Sequence, residues 1–280
     1  MGHSARACIL LALRRRLPRP GPGRRYTAEV TYAAVIFDLF DTLVDLHYER
    51  IPRDEFRGRP VPPTARALHT AVARHADVDF ETFLAVTFAV DEELRVMRYE
   101  RNLELPTLER FSAVVERLGI EDGELAETMT GIHMGILREH TAVPPHHGGI
   151  LADLRSRVRI GLCSNFSHAE TALRILDEAD LRRQFDSIVI SETVGFRKPR
   201  AEIFEATLSD LGVDAAQTLH VGDSLRSDVG GAAACGIQSV WITRRVKDAT
   251  RRLREFAGAR PDFVVSDLSE VPPLLDGFES

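Results

Sequence analysis

The stretch Thr31-Tyr-Ala-Ala-Val-Ile-Phe-Asp38 joins a run of β-branched, aromatic and small residues to a carboxylate. An apolar run of this length is typical of a strand that is buried on both faces. Such strands lie in parallel sheets, where ligands bind beyond the carboxyl ends of the strands. Taken alone, Asp38 fits two interpretations: it caps the following turn, or it serves as a nucleophile or metal ligand.

The hundred residues after this strand show apolar positions at helical spacing. They predict four helices, over residues 62–76, 79–101, 106–118 and 122–140. Pro106 just before the third helix and Gly119 just after it mark its two ends. Residues 46–144 are therefore interpreted as an inserted helical domain.

Beyond Pro144-Pro145 the pattern changes to alternating strands and helices. The predicted strands cover residues 158–163, 187–190, 218–221, 239–243 and 262–265. The predicted helices cover residues 149–155, 168–178, 200–211, 227–235 and 247–256. Such alternation indicates βαβ units and a parallel sheet with helices on both faces. The predicted fold class is α/β, with a three-layer Rossmann-like core (residues 31–45 and 145–280), an inserted helical-bundle cap (46–144) and a leader (1–30).

Length and composition indicate an ordinary globular protein. The chain has 280 residues, of which 44% are apolar, so fibrous, disordered and disulfide-scaffold proteins are excluded. The three cysteines, Cys8, Cys163 and Cys235, are widely spaced and form no disulfide framework or CxxC metal motif. A reducing, cytoplasmic location is expected. No stretch approaches the roughly 20 apolar residues of a membrane-spanning helix.

Charge is distributed unevenly along the chain. Residues 1–28 contain seven arginines and no acid, and the remainder carries 29 basic and 42 acidic residues. An acidic body argues against a nucleic-acid partner, because such binding depends on a basic face. The basic segment is interpreted as a disordered leader, with an organellar transit peptide as the alternative.

Polar residues follow the later strands as well. Ser164 and Asn165 come directly after the second strand, and each suits either a turn or an oxyanion site. Lys198 lies in a later turn, Arg197-Lys-Pro199. Of the 36 basic residues only Lys198 and Lys247 are lysines, so a lysine kept beside a tolerated arginine indicates a crowded anion site.

Two further acids, Asp223 and Asp228, frame the turn Val221-Gly-Asp-Ser-Leu-Arg-Ser-Asp228. Each by itself fits a helix cap or a helix-dipole partner. Together with Asp38 they would bring three carboxylates to one point. Such a cluster needs a cation, and oxygen ligands favour Mg²⁺.

In chain order these segments resemble the motifs of the haloacid dehalogenase superfamily, over residues 32–45 and 144–270. The helical insert is similar in position to the type 1 cap of that superfamily. The resemblance implies that Asp38 is the nucleophile, that Thr42 helps to hold the first loop, and that Lys198 neutralises charge. It also implies that Ser164 and Asn165 bind the transferring group.

The same resemblance implies a set of metal ligands. They are Asp38, the backbone carbonyl of Phe40, Asp223 and Asp228, around Mg²⁺. The expected reaction is hydrolysis of a small phosphate ester or phosphoanhydride through an aspartyl phosphate, with a phosphorylated metabolite as the partner.

The first motif departs from the phosphatases of the superfamily at one position. Those enzymes carry a second Asp two residues after the nucleophile as the general acid, and this chain has Phe40 there. Asp41 stands where the superfamily usually has Gly, and it is interpreted as a turn residue rather than a substitute acid. Loss of general acid catalysis should slow esters with poor leaving groups most, because such catalysis contributes about 10² to 10⁴-fold.

Two alternatives to a phosphatase stay open, and one is excluded. An aromatic residue at position 40 resembles the metal-independent 2-haloacid dehalogenases, but their last motif generally lacks Asp223. A phosphometabolite-binding protein with weak turnover is the other alternative. Phosphonate-cleaving relatives use a cap lysine, and residues 46–144 contain none. Cap candidates for substrate contact are His47, Arg95, Arg98, Tyr99 and Arg101, although charged residues on such helices more often form a solvated face.

Overall fold

A computed structural model describes residues 31–276 of the chain. The predicted leader, residues 1–30, lies outside the described residues. Within them, one sheet of six strands forms the centre of the molecule. Its strands are β1 (Ala34–Phe37), β2 (Arg159–Ser164), β3 (Ser187–Ile190), β4 (Thr218–Gly222), β5 (Gln238–Ile242) and β6 (Phe263–Val265).

The order of the strands places β1 inside the sheet. The sheet runs β6-β5-β4-β1-β2-β3, and every pair is parallel. Phe37 at the end of β1 is in register with Leu162 of β2 and with Val221 of β4. The carboxyl ends of β1, β2 and β4 therefore meet at one edge, where the chain continues to the residues singled out from the sequence.

The sheet has a helical layer on each face because successive side chains of a strand point to opposite sides. Val35 and Phe37 pack into one apolar cluster, whereas Ala34 and Ile36 pack into another. All four residues are fully buried, which explains the uninterrupted apolar run of the first strand. The predicted α/β class with a three-layer parallel core is confirmed.

The helices lie close to their predicted positions. Four belong to the inserted segment: α1 (Ala65–Val72), α2 (Phe80–Met97), α3 (Thr107–Arg117) and α4 (Leu125–Glu139). Four longer helices flank the sheet: α5 (His147–Arg155), α6 (Ala169–Glu178), α7 (Ala201–Leu211) and α8 (Ala249–Glu255). The predicted helix over residues 227–235 is a π-helical turn (Leu225–Gly230) followed by a short helix (Gly231–Ala234).

The inserted segment has an apolar cluster of its own, which includes Phe83, Phe111 and Met129. It also contains a β-hairpin, Asp54–Phe56 paired with Arg59–Val61, where we predicted helices alone. The loop residues Arg57 and Gly58 both have positive φ (52° and 73°), as a two-residue hairpin loop requires. Gly58 was the sequence signal for this turn.

A short antiparallel pair closes the base of the inserted segment. Asp45–Leu46 pairs with Thr141–Ala142, so the chain leaves and re-enters the core side by side. The segment is thus attached a few residues beyond Asp38. None of the helices in residues 31–276 combines the length and the apolar character needed to cross a membrane.

Candidate active site

Asp38 lies directly beyond β1, where the chain leaves the sheet. Its backbone N–H donates to the carbonyl of Val221 in β4 (2.9 Å). The residue is 8% exposed. Burial raises the pKa of Asp38 to about 6, although Lys198 acts in the opposite direction. Asp38 is thus a weaker acid than an exposed aspartate, and nearby positive charge favours its ionised form.

Lys198 is buried between two of the acids. Its Nζ donates to Asp38 Oδ1 (2.7 Å), Asp228 Oδ1 (2.6 Å) and the carbonyl of Cys163 (2.7 Å). All three N–H bonds of the ammonium group therefore have an acceptor. Burial by itself would lower the pKa of Lys198, but the two carboxylates raise it overall and keep the group charged. Lys198 is thus positioned to balance charge on Asp38.

Asn165 holds the loop that carries Lys198. The Lys198 N–H donates to Asn165 Oδ1 (2.7 Å), and Asn165 Nδ2 donates to the Lys198 carbonyl (3.0 Å). Asn165 therefore helps to position Lys198. The substrate contact that the resemblance implied for Asn165 stays a prediction.

Asp228 is held by three donors. Its Oδ1 accepts hydrogen bonds from Lys198 Nζ and from His220 Nε2 (3.0 Å), and Oδ2 accepts one from the Ser224 N–H (2.9 Å). Burial alone would raise the pKa of Asp228, but Lys198 and His220 hold it well below its usual range. The carboxylate lies so close to Gly222 that a Cβ there would be 2.2 Å from Asp228 Cγ. Only glycine at position 222 leaves room for this arrangement.

His220 was not identified from the sequence. It is fully buried in β4, and its ring packs edge-on against Phe204 with 5.1 Å between centroids. Because a carboxylate only accepts, the proton must be on Nε2, which faces Asp228. A histidine within an apolar strand is most often a core residue, so the sequence carried no signal for this contact.

Asp223 brings a third carboxylate to the same point. One oxygen each from Asp38, Asp223 and Asp228 lies within 4.8 Å of the others. Burial, followed by repulsion from Asp38 and Asp228, raises the pKa of Asp223 to about 8. Trp241 Nε1 fixes the backbone at this residue by donating to the Asp223 carbonyl (2.7 Å).

These residues fit a hard divalent cation. Asp38 and Asp223 both have raised pKa values, so a cation is required for both to be ionised at neutral pH. All candidate ligands are oxygens, which is the donor set that Mg²⁺ prefers. Within residues 31–276 the carbonyl of Phe40 accepts no hydrogen bond, so it is available as a further ligand.

Ser164 and Thr42 have buried hydroxyl groups at the carboxyl ends of β2 and β1. Ser164 ends β2 and is almost completely buried, and its hydroxyl makes no hydrogen bond to the described residues. Thr42 Oγ1 is also buried without a partner in the described part of the chain. In the first loop the Leu39 carbonyl accepts from the N–H groups of Leu43 and Val44 (both 2.9 Å). The role of Thr42 in helping to hold this loop stays a prediction.

Phe40 follows Asp38 by two residues and forms an aromatic pair beside it. Its ring packs on Phe166, with centroids 4.8 Å apart and an interplanar angle of 59°. Asp41, the alternative acid, has φ 57°, a conformation that glycine adopts most easily. Its Oδ1 accepts from Arg245 Nε (2.9 Å) and from the Leu46 N–H (3.3 Å). These contacts support the interpretation of Asp41 as a turn residue.

Each candidate substrate contact in the inserted segment has a partner within the protein. Arg95 and Arg98 form exposed ion pairs with neighbouring glutamates. His47 contacts Glu49 (3.2 Å) and lies near Arg245. Tyr99 packs beneath the guanidinium of Arg197, 5.0 Å from its ring centre. The Arg101 carbonyl accepts a long hydrogen bond (3.4 Å) from Arg200, which lies outside the inserted segment.

A buried Glu104 connects the inserted segment to the Lys198 loop and was not predicted. Both its carboxylate oxygens accept from Arg197 Nη1 (2.7 and 2.6 Å), and the hydroxyl of Ser191 donates to it as well. The Glu104 N–H donates to the Gly195 carbonyl (2.9 Å). Because Arg197 precedes Lys198, this contact holds the same loop that Asn165 holds.

Comparison with known proteins identifies the family of the chain. A model of the haloacid dehalogenase-like hydrolase family matches residues 32–236. The chain is 32% identical over 167 residues to the pyrimidine 5'-nucleotidase YjjG of Escherichia coli, covering 59% of this chain and 69% of that protein. It is 30% identical over 224 residues to a phosphoserine phosphatase of Thermus thermophilus, covering 77% and 79%.

Solved structures share the fold at lower identity. A 2-haloacid dehalogenase from Pseudomonas syringae pv. tomato superposes with a TM-score of 0.63 at 22% identity, covering 88% of this chain and 98% of the other. At that identity the likeness concerns the fold alone. The extent of the family match, together with the two curated relatives, settles the classification: the chain belongs to the haloacid dehalogenase-like hydrolase family and is a hydrolytic enzyme.

Proposed function

We propose that the chain is a Mg²⁺-dependent phosphatase that hydrolyses a small phosphorylated metabolite through an aspartyl phosphate on Asp38. The observation that carries the proposal is the carboxylate cluster, in which Asp223 lies within 4.8 Å of Asp38 and Asp228. A metal-independent enzyme would have no need of this third acid. The names of the two curated relatives, a nucleotidase and a phosphatase, support the same substrate class.

In the first step, an oxygen of Asp38 attacks the phosphorus and the ester oxygen departs with its electron pair. The products are an acyl phosphate on Asp38 and an alkoxide, which takes a proton from solvent. In the second step, water attacks the phosphorus, so that Asp38 and inorganic phosphate are released. The two steps together consume one water.

Several residues of the chain would assist these steps. Lys198 is held in contact with Asp38, so its charge would offset the negative charge that builds up there. Asp38, Asp223, Asp228 and the Phe40 carbonyl would hold Mg²⁺, which supplies charge stabilisation for the phosphoryl oxygens. The hydroxyl of Ser164, which makes no hydrogen bond within residues 31–276, is proposed as a donor to the transferring group.

Phe40 determines which esters should react well. Its ring lies against Phe166 and has no proton to give, and Asp41 is engaged by Arg245. The leaving group must therefore depart without a positioned acid. Acyl phosphates and aryl phosphates, whose leaving groups are weak bases, should be better substrates than sugar phosphates.

A substrate panel with and without Mg²⁺ tests the proposal. We expect acetyl phosphate and 4-nitrophenyl phosphate to be hydrolysed with Mg²⁺, and we expect both chelation and Asp38→Asn to abolish turnover. Release of chloride from 2-chloropropionate in the presence of a chelator would instead establish a dehalogenase. Binding of phosphate esters without turnover of either reagent would establish a regulatory protein.

The compartment proposed for this enzyme is the cytoplasm. Both cysteines within the described residues, Cys163 and Cys235, are free thiols. Free thiols are consistent with a reducing environment.

A further inference from the structure

A second group of metal-binding side chains lies outside the carboxylate site. His146 and His147 stand at the start of α5, and Asp267 follows β6. One ligand atom from each residue lies within 4.8 Å of the others. His146 Nε2 is 3.0 and 3.1 Å from the two oxygens of Asp267, and the two imidazole rings are 4.7 Å apart between centroids.

His147 has a buried nitrogen that lacks a partner. Its side chain is fully buried, and Nδ1 lies 2.9 Å from the carbonyl of Leu43. A carbonyl only accepts, so Nδ1 carries the proton and Nε2 of the neutral ring has a free lone pair. Within the described residues nothing donates to Nε2. A buried acceptor without a donor is unfavourable, which indicates that a group other than the described residues completes this site.

The arrangement of His147 is the one that metal-ligating histidines adopt. In such sites one ring nitrogen binds the metal while the other donates to a carbonyl or carboxylate, which fixes the orientation of the ring. Here Leu43 provides the carbonyl and Nε2 is left for the ion.

The donor set also defines the class of ion. We propose that His146, His147 and Asp267 form a binding site for a divalent transition metal of the Zn²⁺ type, separate from the site at Asp38. Two imidazoles and a carboxylate suit Zn²⁺, whereas Mg²⁺ prefers oxygen ligands alone. The side chain of His146 is 47% exposed, so an ion can enter from solvent and keep a water as its fourth ligand.

Closure around an ion requires only small movements. Ligand bonds of about 2.0 to 2.2 Å place ligand atoms about 3 to 4 Å apart, and the His146–Asp267 separation is already 3.0 Å. The bound ion would join the start of α5 to the segment after β6 and, through Leu43, to the loop that begins at Asp38. We expect it to stabilise the fold rather than to take part in the reaction.

The test is calorimetric titration of Zn²⁺ into the full-length protein without an affinity tag, in excess Mg²⁺. The same titration in an Asp223→Asn background excludes zinc bound at the carboxylate site. We expect one equivalent of zinc in both proteins and a higher unfolding temperature. His146→Ala and Asp267→Asn should each weaken binding by at least about tenfold. Neither substitution removes a buried side chain, so both variants should fold.

His75→Ala provides the matched control. His75 Nδ1 is 2.6 Å from Asp122 Oδ2, a pair of similar exposure that belongs to no three-residue cluster in residues 31–276. This variant should bind zinc as the wild type does. Absence of stoichiometric zinc, loss of zinc in the Asp223→Asn protein, or equal effects of His75→Ala and His146→Ala would each overturn the proposal.

Discussion

Replacing Gly222 with Ala tests whether the Asp228 carboxylate has to lie where the structure places it. The new Cβ would be 2.2 Å from Asp228 Cγ and 2.5 Å from Oδ2. Even a separation of 3.0 Å, which real Cβ atoms essentially never go below, needs a movement of about 0.8 Å. Gly222 ends β4 and Asp228 lies in the π-helical turn, so the backbone on both sides is held by regular structure.

The size of the effect follows from what that movement breaks. Asp228 accepts from Lys198 Nζ (2.6 Å), His220 Nε2 (3.0 Å) and the Ser224 N–H (2.9 Å). Removing one partner of a buried ion pair costs about 3 to 5 kcal/mol, because the other charge stays buried and unpaired. We therefore expect Gly222→Ala to lower the free energy of unfolding by about 3 to 5 kcal/mol. Mg²⁺ affinity should fall by about 10 to 100-fold, the range seen when the groups that support metal ligands are changed.

Urea denaturation and calorimetric titration of Mg²⁺ would measure these two effects. Gly135→Ala is the control, because Gly135 lies within α4 and a Cβ there would meet no atom within 4 Å. The same substitution should stabilise the protein by about 0.5 to 1 kcal/mol at that position, since alanine is the better helix former.

A Gly222→Ala protein whose stability and Mg²⁺ affinity match those of the wild type would refute the argument. It would mean that Asp228 can move without loss, and that its three hydrogen bonds do not define the site. If the variant is too unstable to titrate, the denaturation curve alone still distinguishes it from Gly135→Ala, because the two changes have opposite signs.

Three further predictions concern the missing general acid at position 40, the pair between Glu104 and Arg197, and the dependence of Mg²⁺ affinity on pH. Phe40→Asp should raise the rate of sugar phosphate hydrolysis by about 10²-fold, measured as phosphate release, because it restores a general acid; no gain in a folded variant would mean that another residue already serves. Glu104→Gln should lower the free energy of unfolding, measured by urea denaturation, by about 2 to 4 kcal/mol, since it breaks a buried ion pair with Arg197. The exposed control Glu100→Gln should change it by less than about 1 kcal/mol, and equal effects would contradict the argument. Mg²⁺ affinity should rise as the pH increases from about 6 to about 8, by up to about tenfold per unit, because protons on Asp38 and Asp223 compete with the ion. Calorimetry should show a flatter profile for Asp223→Asn, and an unchanged profile would argue against the raised pKa.

Much of the fold could be predicted because its signals are local. An unbroken apolar run such as that of β1 needs no knowledge of distant residues to be interpreted as a buried strand. The meeting of Asp38, Asp223 and Asp228 could also be predicted, since parallel strands end at one edge of the sheet. The hairpin around Gly58 was missed because the first helix was predicted from residue 62 and no strand was predicted before it.

The partners of the polar side chains were harder to predict. Asn165 suggested a substrate ligand, yet its amide binds the backbone of a residue 33 positions later. Asp41 pairs with Arg245, which is 204 positions away. Its neighbours in the sequence gave no sign of this contact. Thr42 fits the motif, and its hydroxyl has no partner in the described residues, so its role stays a prediction.

The amino-acid sequence by itself determined the class of the fold, the edge of the sheet that carries the site, and the acids and lysine that meet there. These features follow from backbone periodicity and from which residue ends each strand. Only the tertiary structure decided what holds those residues: Gly222 makes room for Asp228, and Glu104 and Asn165 hold the Lys198 loop. The physical reason is that a buried polar group must find its partner in three dimensions, and the packing of distant segments determines which group that is.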